Sequence, residues 1–99
     1  MPDIDEQRAA GTLSAATAGE AALRLIADLT TKETEGVTAV TPAQEGWIVS
    51  VEVVEDRRIP STGDILALYQ VEIDEEGNLL AYKRLRRYRR GSSDNGENA

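Results

Sequence analysis

Cysteine, histidine and phenylalanine are absent from this 99-residue chain, and aromatics make up only 4% of it: Trp47, Tyr69, Tyr82 and Tyr88. Each absence removes a class of function. Without Cys or His there is no zinc finger, disulfide framework, haem ligation or thiol chemistry. Without His there is no Ser-His-Asp triad and no imidazole base. Any metal site would have to use carboxylates, hydroxyls and carbonyls, which suit only hard cations. The lack of cysteine fits a reducing compartment such as the cytosol. No apolar run approaches the length of a membrane span, and no basic region precedes an apolar stretch at the start, so neither a transmembrane helix nor a signal peptide is expected.

What is present is charge, unevenly placed. The formal charge is −7, from 18 acids and 11 bases. Lys83, Arg84, Arg86, Arg87, Arg89 and Arg90 put six of those bases into eight positions, and the rest of the chain then carries a balance of −13. An acidic body with one basic stripe suggests an anionic partner, such as an acidic protein surface that pairs with arginine forks. Two other readings compete. The stripe can be an edge strand blunted by cations. It can also bind nucleic acid, with Tyr82 and Tyr88 as stacking platforms among the arginines of Lys83–Arg90, although the acidic remainder would repel phosphates.

The chain divides into a tail over 1–13, one domain over 14–90 and a polar tail over 91–99, both tails expected to be flexible. Residues 14–30 carry apolar side chains at helical spacing: Ala15, Ala18, Ala22, Leu25 and Leu29, widened by Leu23 and Ile26. Thr17 and Glu20 suggest a capping box, so the helix is expected to begin near Thr17 and to stop near Thr30 and Thr31.

Beyond Gly36 the pattern is that of strands. A short strand is expected over Val37–Thr41, ended by Pro42. Trp47, Val49, Val51 and Val53 alternate with polar residues, as do Ile65, Ala67, Tyr69, Val71 and Ile73. Asp74–Asn78 reads as a hairpin turn, with Gly77 supplying a positive φ. The last strand then runs to Arg90. Its register is open: one loop length turns Ala81, Lys83 and Leu85 to the core, the other Leu80, Tyr82 and Arg84, and the second is preferred near the turn because it buries more apolar surface. The expected fold is α+β, one N-terminal helix packed on a three- to four-stranded antiparallel meander. The outer sheet face keeps Ile48, Val54, Leu66 and Leu68, which read as ordinary scattered apolar residues or as a patch covered by another copy or a partner.

Chemistry-bearing constellations are few. Asp74, Glu76 and Asn78 alternate, but their spacing is not that of an EF-hand loop. Glu52 or Glu55 could act as an acid or base, yet nothing pins a second group beside either, and no phosphate-binding loop is present. No enzyme activity, cofactor or metal is expected. The connection Glu55–Asp64 is longer than a hairpin needs. It reads as a solvated loop or as a presented recognition loop with Ile59 as its anchor.

The ordered block Gly46-Trp47-Ile48-Val49-Ser50-Val51-Glu52-Val53-Val54-Glu55, then Arg58-Ile59-Pro60, then Asp64 to Val71, then Asp74, Gly77, Leu80 and Tyr82 to Tyr88, resembles the gas vesicle protein GvpO family. The resemblance spans 46–88. Two positions depart from it: Thr31 stands where the family often has Gly after the helix, and Gln70 replaces a commoner Glu. The resemblance implies a non-enzymatic, cytoplasmic accessory protein that supports gas vesicle assembly or its regulation. A small acidic protein with a basic strand suits contacts with other gas vesicle proteins, in association with the vesicles, and neither nucleic acid nor membrane is the expected partner. Among the motif residues it brings forward, Arg58, Ile59, Pro60, Arg84, Arg86, Arg87 and Tyr88 are the candidates for partner binding. Trp47, Glu52, Glu55, Asp64, Tyr69 and Tyr82 are read as structural.

Overall fold

The computed structural model describes residues 12–91. The flexible tails expected over 1–13 and 91–99 fall, but for residues 12, 13 and 91, outside the described residues. Among the described residues the element order is a helix, α1 (Ala15–Thr30), then β1 (Glu33–Ala43), β2 (Gly46–Asp56), a 3-10 turn (Ser61–Gly63), β3 (Ile65–Asp74) and β4 (Leu79–Arg89). The four strands form one antiparallel sheet in the order β1-β2-β3-β4. This is the expected α+β meander with its four-stranded form realised.

The helix begins earlier than its sequence suggests. Ser14, not Thr17, is the N-cap: its backbone N–H donates to Thr17 Oγ1 at 2.8 Å, and its hydroxyl accepts from the Thr17 N–H at 3.3 Å. Threonine at the third helical position thus does what Glu or Gln does in the commoner capping box. The buried row is Ala18, Ala22 and Ile26 at steps of four, while Leu29, assigned to the stripe, is 42% exposed. Leu13 packs against the core from just before the helix, and its N–H donates to the Glu75 carbonyl at 2.8 Å.

The helix stops where expected, at Thr30, and Thr31 follows in the left-handed region with φ 56°. A β-branched residue is strained there, because its Cβ crowds the backbone. Replacing Thr31 with Gly removes that strain. The expected gain is about 1 kcal/mol, or roughly 5 °C in thermal midpoint, checked by circular dichroism melting.

Strand β1 is longer than the expected Val37–Thr41 and includes Pro42. Its edge position explains the difference: a strand bonded on one side tolerates Pro and irregular backbone. Its register against β2 shifts between Thr34 and Gly36 and again between Val37 and Ala39. The core lies between α1 and the inner sheet face, where Val49, Val51, Val53, Ala67, Val71 and Ile73 meet Ala18, Ala22 and Ile26. The β3–β4 turn is closed by Asp74, whose carboxylate accepts the backbone N–H groups of Glu76 and Asn78, both at 2.9 Å. Gly77 has the expected positive φ, 93°.

Candidate functional site

The register of β4 decides where the basic stripe points. Val71 pairs with Tyr82 and Tyr69 with Arg84, but Leu68 pairs with Arg86 and Leu66 with Tyr88. Leu85 is therefore an extra residue, a bulge, and a bulge exchanges the faces of everything after it. Tyr82, Arg84 and Arg87 share the helix side of the sheet, while Lys83, Arg86 and Tyr88 share the outer side. The preferred register thus holds for Tyr82 and Arg84. It fails for Leu80, which falls at a second register shift and is 49% exposed, while Leu79 packs against the core. Two consequences follow for the basic stripe. Its cations divide between two faces, and Tyr82 and Tyr88 cannot serve one nucleic-acid strand side by side.

Each face of β3 is crossed by a polar bridge between β2 and β4. On the outer side the Tyr88 hydroxyl donates to Glu52 Oε2 above Leu66 and Leu68. Arg86 stacks on the Tyr88 ring, its guanidinium carbon 4.8 Å from the centroid. Burial first, and then the hydrogen bond to Glu52, pushes the Tyr88 phenol well above its ordinary range. On the helix side Glu55, bulged out of β2, receives Arg84 Nη1 at 3.3 Å and lies 3.9 Å from Arg87 Nε. The small side chain of Ala67, paired between Val53 and Arg87, leaves room for that crossing. Beside it the rings of Tyr69 and Tyr82 lie 6.3 Å apart, and burial raises the Tyr69 pKa.

A third bridge closes the end of the sheet. Arg90 donates through Nη1 and Nη2 to the Glu35 carboxylate at 3.0 and 3.1 Å, through Nη2 to Asp64 Oδ2 at 3.0 Å and through Nε to the Ser61 carbonyl at 3.2 Å. Glu35 lies on β1 and Arg90 just beyond β4, the two opposite edges. The pair therefore links the two edge strands at this end of the sheet. Val54 and Leu66, at that end, are 5% and 4% exposed. The outer apolar patch is thus buried within the chain at Val54 and Leu66, while Ile48 and Leu68 are half-buried.

Asp64 is the centre of this end. It is the one fully buried charged residue among those described. Its Oδ1 accepts the Arg58 backbone N–H at 2.7 Å, and its Oδ2 accepts from Arg90 and, at 3.4 Å, from Arg57 Nη1. Those bonds, that of the Arg58 backbone foremost, hold its carboxyl below the usual carboxylate range against the opposing effect of burial. The Arg58 side chain pairs with Asp56 at 2.8 Å, and Arg57 also pairs with Glu33. Between these anchors Ile59, joined to Pro60 by a cis peptide, is 100% exposed.

The candidates are thus spread over two places. Arg58, Ile59 and Pro60 form the tip of the loop; Arg84, Arg86, Arg87 and Tyr88 belong to β4 and its bridges. Trp47 and Tyr69 pack against the core. Sequence reading named Arg90 only as part of the basic stripe and did not name Glu35. Only the fold brings these two together from opposite edges of the sheet, and no local signal does. No group of three or more metal-ligating side chains occurs among the described residues, and no described helix is long and apolar enough to cross a membrane.

Comparison with known proteins gives a consistent result. The sequence model of a family described as "Gas vesicle synthesis protein GvpO" matches residues 2–94. A Streptomyces sp. (strain CB03234) protein, "Gas vesicle protein O", is 46% identical over 69 residues, which is 70% of this chain and 54% of that protein. "Gas vesicle protein O1" of Halobacterium salinarum is 41% identical over 64 residues, 65% of this chain and 54% of that protein. "Gas vesicle protein O" of Haloferax mediterranei is 33% identical over 89 residues, 89% of this chain and 64% of that protein. The chain spans about half the length of the first two relatives. No solved structure matches.

Proposed function

The chain belongs to the GvpO family of gas vesicle synthesis proteins, and on that premise we propose that it is a non-enzymatic accessory factor of gas vesicle formation. It works in the cytoplasm, near the growing vesicles, by contacting other gas vesicle proteins. The observation that carries this reading is the setting of Ile59. A lone exposed apolar residue is ordinary on a protein surface. Ile59 differs in its support: it is wholly exposed while the loop bearing it is tied down by a fully buried carboxylate. An apolar side chain held in one place loses little conformational freedom on binding, which is what makes a good anchor.

The test is a vesicle-forming host whose own copy carries Ile59→Asp. Vesicle yield is expected to fall severalfold by electron microscopy and buoyancy, while the purified variant keeps the melting curve of the parent. Unchanged yield, shape and buoyancy with Ile59→Asp and also with Arg58→Glu would remove this reading.

A further inference from the structure

The helix covers only part of its own side of the sheet. It packs most against β1, less against β2 and least against β3. A four-stranded face is about 15–19 Å wide and a helix about 10 Å across, so the face has width for a second helix beside α1. Among the described residues, the part left uncovered is built from β3 and β4. Its apolar floor is Tyr69 and Tyr82, the latter 42% exposed. Ala21, whose Cβ lies near Gly77, and Leu25 one turn later form the wall on the α1 side. The outer rim is cationic: the Arg84 and Arg87 side chains are 46% and 50% exposed and share the single carboxylate of Glu55. Each guanidinium has about five N–H donors, and Glu55 accepts a single hydrogen bond from the pair. One of its oxygens, Oε1, is buried with no hydrogen-bond partner among the described residues.

The geometry points to this face as the docking site of an acidic amphipathic helix supplied by another protein, laid beside α1 over β3 and β4. Its apolar residues meet Tyr69 and Tyr82, and its carboxylates meet the arginines of the rim. Charge selects the occupant. A basic segment is repelled by Arg84 and Arg87. A second copy meeting this one rim to rim would set cation against cation, which disfavours symmetric pairing here. The bulge at Leu85 and the cations on both sides also make strand addition at this edge poor. The inference rests on the reading that the protein acts through protein contacts, and it names the chemistry of one partner.

The probe is a fluorescein-labelled peptide of about 18 residues, or five turns, with one leucine face and one glutamate face. It is titrated with the intact chain and followed by anisotropy. Saturable binding is expected, weakened about tenfold or more by Arg87→Glu and by Tyr82→Ser, and unchanged by Lys32→Glu, which alters the charge equally elsewhere. Tyr82→Ser removes an exposed ring and leaves the Glu55 pairs in place, so it reports on the face even if Arg87→Glu disturbs folding. Absence of binding overturns the inference. So does equal loss with Lys32→Glu, or equal affinity for the peptide with lysine in place of glutamate or for a single-stranded DNA oligonucleotide. Ile59→Asp is expected to bind the peptide normally. Failure on this face therefore leaves the vesicle experiment standing, and failure there leaves this one.

Discussion

Asp64→Ala is expected to lower the thermal midpoint by about 10 °C or more, because it removes the acceptor on which three residues converge. The carboxylate is fully buried, and its oxygens take the Arg58 backbone N–H, Arg90 and Arg57. Alanine leaves the Arg58 N–H without its acceptor, and an unpaired buried donor loses both its bond and its water. Arg90 keeps Glu35, so the link between the two edge strands is weakened and not abolished. Asp64→Asn separates two contributions. The amide oxygen can still accept from Arg58, but the charge that pairs with the arginines is gone, so Asn should fall between Ala and the parent. Melting followed by circular dichroism ranks the three proteins.

The same carboxylate makes stability depend on pH, with a definite sign. Its folded pKa is depressed below the ordinary 3.8. A depressed carboxylate contributes its stability in full above the unfolded pKa, and loses it as pH falls through the folded one. Stability should therefore be steady above about pH 4 and decline below it. Glu35, lowered chiefly by its hydrogen bond to Arg90, and Asp74, lowered chiefly by the Asn78 N–H, act in the same direction. Asp64→Asn should make the acid decline shallower without abolishing it. An acid decline as steep as that of the parent would show that the Asp64 carboxylate is not held as the structure has it.

Much of this fold is written locally. The alternation of Trp47 to Val53 and of Ile65 to Ile73 fixes two central strands and their buried faces, since a period of two has one apolar side. Gly77 and Asp74 mark the hairpin through backbone conformation and side-chain acceptors, both visible in sequence. The features that escape are set across the sheet. Nothing near Leu85 announces a bulge; it follows from Arg84 and Arg87 reaching Glu55 on one face while Tyr88 reaches Glu52 on the other. Nothing near Arg90 announces Glu35, which lies 55 residues earlier. The helix start escaped for a different reason: Ser14 and Thr17 cap each other reciprocally, and a capping pair of two hydroxyl residues is less conspicuous than one ending in Glu. The candidate loop Arg58-Ile59-Pro60 was legible as a loop. Its anchoring through Asp64 was not, because the partners of that carboxylate, at 57, 58 and 90, are brought together only by the fold.

Gly46→Ala is the other substitution expected to be costly, and it separates two reasons for a glycine. Among the described glycines Gly36 and Gly77 have positive φ, and Gly46 is not needed for its backbone conformation. It is needed for space. A Cβ there would lie 2.1 Å from the Ile73 carbonyl oxygen and 2.6 Å from the Asp74 Cα and carbonyl carbon. These are backbone atoms of β3, so no side chain can rotate away. The strands must part where Gly46 faces Asp74 and Trp47 faces Ile73, the end that begins the β2–β3 ladder. Forced overpacking of this kind costs about 1–3 kcal/mol, and the upper end is expected because the obstruction is main chain. That corresponds to a fall of roughly 10 °C or more in thermal midpoint. Trp47 emission should shift to the red as the strand end opens and its indole leaves the core. Gly63→Ala is the matched control: its Cβ meets only the Arg58 side chain at 3.6 Å, an ordinary contact, so it should change stability by no more than about 0.5 kcal/mol. If Gly46→Ala melts with the parent, β2 and β3 do not approach as closely as the structure shows, and the glycine before the tryptophan owes its place to something other than packing.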